Sequence, residues 1–72
     1  MRYTLLLIPD QGEGGFTVRV PALPGCITEG DTEEEAIENA KDAIRLYLED
    51  VIGSGEAVPQ ESVRPELITV DV

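Results

Sequence analysis

The stretch Gly30-Asp31-Thr32-Glu33-Glu34-Glu35-Ala36 governs the reading of the whole chain, because three separate signs of a helix start coincide in it. Thr32 and Glu35 have the spacing of a capping box, in which the threonine hydroxyl accepts from a free N–H of the first turn and the glutamate reaches back to another. Asp31, Glu33 and Glu34 add negative charge at the positive end of the helix dipole. From Thr32 the pattern predicts a helix over about 32–52, stopped by Gly53 as the residue that takes the left-handed turn. At roughly 100° per residue, Ala36, Ile37, Ala40, Ala43, Ile44, Tyr47, Leu48 and Val51 fall within an arc of about 140°. A stripe of that width packs on a sheet.

The residues before the helix supply that sheet. Positions 2–8 read as a strand, with Tyr3, Leu5 and Leu7 on one face and Leu6 and Ile8 on the other, a pattern suited to a central strand covered on both sides. A glycine-rich loop, Pro9 to Gly15, leads into a strand over 16–20 in which Phe16, Val18 and Val20 alternate inward. Pro21-Ala22-Leu23-Pro24-Gly25 is a turn before a short strand at 26–29. Beyond the helix, residues 53–66 hold Pro59 and Pro65 and show no period, so they read as a connector, and Leu67 to Val70 as a returning strand. A right-handed crossover would set that strand parallel to the first and beside it. The expectation is therefore a single α+β domain over 1–72: a three-stranded antiparallel meander, one long helix and a fourth strand, β-β-β-α-β, with strand order 3-2-1-4.

Composition narrows the function. Fifteen acidic residues against five basic ones give a formal charge of −10, which opposes a nucleic-acid backbone and favours a basic partner. The longest apolar run, Leu5 to Ile8, is far short of the roughly 20 residues of a membrane span, and the N-terminus lacks a signal-peptide pattern, so a cytoplasmic protein is expected. A 72-residue core is thin. With one cysteine and no histidine, disulfide and metal staples are not expected, which leaves oligomerisation. One helix covers one sheet face while Leu6 and Ile8 need cover on the other, so a homo-oligomer is expected.

Few residues offer chemistry. Gly12-Glu13-Gly14-Gly15 joins two strands rather than opening a helix, and no phosphate-loop lysine follows it. Cys26 has no histidine to activate it and reads as a small apolar strand residue. Asp10, Glu13, Glu29 and Asp31 could form a carboxylate cluster for two magnesium ions in a residual nuclease, but the set has no base and no positive group for substrate. No catalytic, metal or cofactor residue is assigned. The surface residues singled out for a partner are Glu34, Glu38, Asp42 and Glu49 on the helix face opposite the stripe, with Asn39 and Leu46 on its weakly polar flank. Lys41 and Arg45 interrupt the acidic face at pairing distance, and a merely solvated face is the alternative.

Taken as a set, Gly15-Phe16, Val20-Pro21-Ala22-Leu23-Pro24-Gly25-Cys26 and Glu29-Gly30-Asp31-Thr32-x-x-Glu35-Ala36-x-x-Asn39-Ala40-x-x-Ala43-Ile44 resemble the HicB-like antitoxin family over roughly residues 3–59, and Ile68 to Val72 resemble its last strand. The resemblance is to a short member holding the N-terminal domain alone, without the helix-turn-helix or ribbon-helix-helix domain that many members carry. It implies a partial, degenerate ribonuclease H-like fold without nuclease carboxylates. It also implies an antitoxin that sterically blocks a HicA-like partner, a small basic mRNA-cleaving toxin. Two other functions stay open at this point: an orphan regulatory or scaffolding domain, and the residual metal-dependent nuclease.

Overall fold

The computed structural model describes residues 1–61 and 64–72. Three strands, β1 (Leu6–Pro9), β2 (Phe16–Arg19) and β3 (Ile27–Gly30), precede one helix, α1 (Glu33–Gly53). The strands form an antiparallel sheet in the order β1-β2-β3, with Leu7 opposite Val18 and Val18 opposite Thr28. Asp10 closes the first hairpin. Its N–H donates to the Gly15 carbonyl at 2.9 Å, and its side chain accepts from the N–H groups of Gly12 and Glu13. The second connection doubles back on itself: Leu23 N–H donates to Val20 O and Cys26 N–H to Leu23 O, which turns the Leu23 side chain fully into the core.

The helix begins as its sequence demands. Thr32 Oγ1 accepts from Glu35 N–H at 3.1 Å, the forward arm of the capping box, while Glu35 Oε1 reaches one residue past the cap and accepts from Asp31 N–H at 3.3 Å. Its other end departs from expectation. Gly53 is still helical, and the left-handed residue is Gly55, at φ +77°. Gly55 N–H donates to Ile52 O and Glu56 N–H to Val51 O, the paired bonds that satisfy the last carbonyls of a helix closed by a left-handed glycine.

The helix lies over β3 and β2. Gly30 makes this close approach possible, since a Cβ there would collide with the backbone N and Cα of Ala36. Two apolar clusters result. Val18, Ala36 and Ala40 are packed by Leu5, Leu7 and Phe16, and Val20, Leu23 and Cys26 by Tyr3, Ala43, Ile44, Tyr47 and Leu48. Of the expected stripe, Ala36, Ala40 and Val51 are buried, whereas Ile37, Ala43, Ile44, Tyr47 and Leu48 are half-buried because three strands do not reach under the full arc.

Two expectations about the sheet are corrected. Residues 67–70 form no strand, so the order 3-2-1-4 gives way to β1-β2-β3, and β1 is an edge strand rather than a central one. The cause lies in the path of the connector. Tyr3 OH donates to Pro59 O at 2.6 Å and Thr4 N–H to Glu61 Oε2 at 2.6 Å, which anchors the returning chain at the start of strand 1. Pro65 then lies beside Leu6, Arg19 and Ile27, on the sheet face away from the helix, so the segment after it does not run along β1. Strand 1 is also shorter than the expected 2–8, because β2 ends at Arg19 and Val20 N–H turns to Cys26 O.

Candidate protein-binding surface

The outer face of α1 is held in place by neutral chemistry beneath it and carries acid on top. Glu34, Glu38, Asp42 and Glu49 are all exposed, as the helical period requires of residues opposite a buried stripe. Two of the four have local partners: Lys41 Nζ lies 3.1 Å from Glu38 Oε1, and Arg45 Nη1 lies 2.9 Å from Asp42 Oδ1. These pairs are exposed and one helical turn apart, so each contributes only about 0.3–0.5 kcal/mol and leaves the carboxylates available to a stronger cationic partner. Leu46 stands beside them, 67% exposed. Ile52, which the sequence did not single out, is similarly exposed on the same helix.

Asn39 has a different task from the other five. Its Nδ2 donates to the Glu29 carbonyl at 2.8 Å, so the amide ties the helix to β3 and is half-buried. The signal that could have separated it from its neighbours is its position on the wheel, at the margin of the stripe rather than on the acidic face.

The four carboxylates considered for a nuclease do converge. Asp10, Glu13, Glu29 and Asp31 line one open cleft of about 390 Å³ between the β1–β2 hairpin, the end of β3 and the start of α1, together with Glu35 and Asn39. They do not make a metal centre: among the described residues no three His, Cys, Asp or Glu side chains are placed to hold one ion. Asp10 is occupied with its own hairpin and Glu35 with the capping box. Sequence reasoning missed Glu35 as a member of this cleft, although its capping position placed it there. Glu35 joins the cleft to the acidic face of the helix, one turn from Glu38 and two from Asp42. The arrangement offers negative charge without ligand geometry, which suits attraction of a basic protein surface better than catalysis.

A second groove has the opposite character. On the β1 side, Leu5 and the helix flank of Ile37, Ile44 and Leu48 form an apolar floor, and Arg2, Lys41 and Arg45 stand around it. Cys26 is buried at 6% exposure, and desolvation pushes its thiol pKa above the ordinary 9.0, so it is no nucleophile. Among the described residues no helix is long and apolar enough to cross a membrane.

Comparison with known proteins agrees on one family. The profile of a family described as HicB_like antitoxin of bacterial toxin-antitoxin system matches residues 3–69. A UPF0150 protein of Thermoplasma acidophilum is 44% identical over 70 residues, covering 97% of both chains. Antitoxin HicB 1 of Photorhabdus laumondii is 42% identical over 82% of this chain and 37% of its own length. Antitoxin HicB of Escherichia coli is 37% identical over 86% of this chain and 44% of its own length.

Proposed function

The chain belongs to the HicB-like antitoxin family, and from that premise we propose that it binds and sterically neutralises a HicA-like toxin, a small basic protein that cleaves mRNA. The observation that carries the reading is the exposed acid of Glu34, Glu38, Asp42 and Glu49, interrupted only by Lys41 and Arg45 and extended through Glu35 to the cleft of Glu29 and Asp31, on a chain of formal charge −10. Such a surface speeds encounter with a basic partner and excludes acidic competitors. Leu46 on the flank and Ile52 near the end of the helix add exposed apolar area beside the acid. Asn39 serves by holding the helix on the sheet.

In this reading the 72-residue unit is one domain with a degenerate ribonuclease H-like core, works in the cytoplasm as a homo-oligomer, binds no nucleic acid directly and performs no catalysis. The test is titration of the protein into an RNA-cleavage assay with the small basic protein encoded beside its gene. Inhibition should be stoichiometric, and the complex should weaken as salt rises through the range where the Debye length shrinks from about 10 Å to about 3 Å. Replacing Glu34, Glu38, Asp42 and Glu49 together by lysine should abolish inhibition while the protein stays folded. Cleavage that continues at full occupancy, or a neighbour that forms no complex, would leave the alternative of an interaction domain with another partner.

A further inference from the structure

We infer that residues 67–72 of one copy add as a strand to the open edge of β1 in a second copy, with the exchange made reciprocally about a two-fold axis. This deepens the homo-oligomer reading, on which it rests, and is independent of the toxin.

The acceptor is a built feature. The bonded pairs of an antiparallel ladder alternate, and Asp10 N–H donates across the hairpin to Gly15 O; in the same register Ile8 and Leu6 therefore turn their main-chain groups to β2. Those of Leu5 and Leu7 point outward, where no strand of the described residues meets them. Pro9, which has no N–H to offer, ends that edge. The opposite edge is treated differently, since Asn39 caps the Glu29 carbonyl of β3. Beside the open edge lies the groove of about 550 Å³ floored by Leu5, Ile37, Ile44 and Leu48, so a strand laid against Leu5 and Leu7 would have one face in apolar surroundings.

The donor matches it in pattern and in charge. Ile68, Val70 and Val72 share one face of an extended segment, and Leu67, Ile68 and Val70 are 87%, 73% and 71% exposed, an unusual density of large apolar side chains in water. Glu66 and Asp71 are acidic, while three of the five basic residues of the chain, Arg2, Lys41 and Arg45, stand around the groove. Lys41 and Arg45 each hold a helix carboxylate through one contact and keep further donors free.

The chain's own tail is led away from this groove, because Pro65 lines a different one, shared with Leu6, Arg19 and Ile27 on the other face of the sheet. A second copy supplies what the first lacks. Two-fold exchange then satisfies both edges at once and leaves no strand open for further growth.

The experiment is NMR of the full chain mixed at equal amounts from isotope-labelled and unlabelled protein, with the mass measured by light scattering. Intermolecular contacts between the methyls of Ile68 and Val70 and those of Leu5, Leu7 and Ile44, in a particle of twice the chain mass, are expected. The Val70→Asp variant should weaken the dimer at least tenfold, about the effect of losing one buried aliphatic side chain. A dimer that keeps its affinity in Val70→Asp, or whose contacts lie elsewhere, overturns the exchange while leaving the oligomer standing. A monomer whose tail contacts its own β1 overturns both.

Discussion

Gly30 and the first turn of α1 are in direct backbone contact: a Cβ on Gly30 would stand 2.6 Å from the Cα of Ala36 and 2.9 Å from the carbonyl carbon of Glu35. The obstruction is main chain, which cannot swing aside as a side-chain tip would. Gly30→Ala should therefore behave as overpacking and lower stability by about 1–3 kcal/mol, by lifting the helix start off β3. Urea denaturation checks it, the expected result being a lower midpoint with an unchanged slope. An unaltered midpoint would mean that the helix rides over the extra methyl freely, contrary to the packing described.

The proposed partner surface divides by the same kind of measurement. Asn39 bonds the Glu29 carbonyl, so Asn39→Ala should cost about 1 kcal/mol of stability through the lost bond. Leu46 is mostly in water, so Leu46→Ala should change stability by less than about 0.5 kcal/mol. Binding should show the reverse order, with Leu46→Ala weakening the proposed toxin complex more than Asn39→Ala does once both are assayed below their unfolding transitions. Equal effects of the two on the complex would remove the distinction between positioning and contact.

Local features were legible in the sequence and long-range ones were not. The Thr32 cap on Glu35 N–H and the alternation of Phe16, Val18 and Val20 depend on residues a few positions apart and are found as read, with the Glu35 side chain bonding the N–H of Asp31 in place of that of Thr32. Leu23 lies between two prolines in a turn, where periodicity has no meaning, and its full burial comes from the doubled-back bonds of Val20 and Cys26. The alternation of strand 1 correctly reported apolar character on both faces, but whether a neighbour covers the β1 edge depends on the path of a connector more than 50 positions away in sequence, held by Pro59 and Glu61. For the site, the acidic face followed from the helical period alone. The convergence of Asp10, Glu13, Glu29 and Asp31 was also legible, whereas their lack of ligand geometry depends on where each hairpin and cap bond directs its carboxylate.

The two glycines at the end of α1 should respond to alanine with opposite signs. Gly53 is helical with open space around its Cα, so Gly53→Ala should stabilise the protein by up to about 1 kcal/mol through helix propensity and a less flexible unfolded chain. Gly55 holds φ at +77°, where a Cβ meets the following carbonyl, and Gly55→Ala should cost about 1–2 kcal/mol. Thermal melts of the two variants against the parent decide the matter. A Gly53→Ala variant that melts lower would restore Gly53 as the helix stop.

Cys26 gives the stability a pH dependence in the alkaline range. Its thiol is packed with Val20 and Leu23, and the loss of hydration raises its pKa above the ordinary 9.0. The native state thus holds the proton more tightly than the unfolded chain, which releases it first as pH rises. Between the two pKa values the unfolded state binds fewer protons, so stability must fall with rising pH, its full contribution being present below the unfolded value. Other groups titrate nearby, and the comparison that isolates the thiol is with Cys26→Ala, which lacks this slope. Urea midpoints at about pH 7.5 and about pH 10 should drop further in the parent than in the variant. Alkylation by iodoacetamide should likewise be slow in the native protein and become fast in urea, since only the thiolate reacts. Equal drops in midpoint, or equal alkylation rates folded and unfolded, would place the thiol in water rather than in the core.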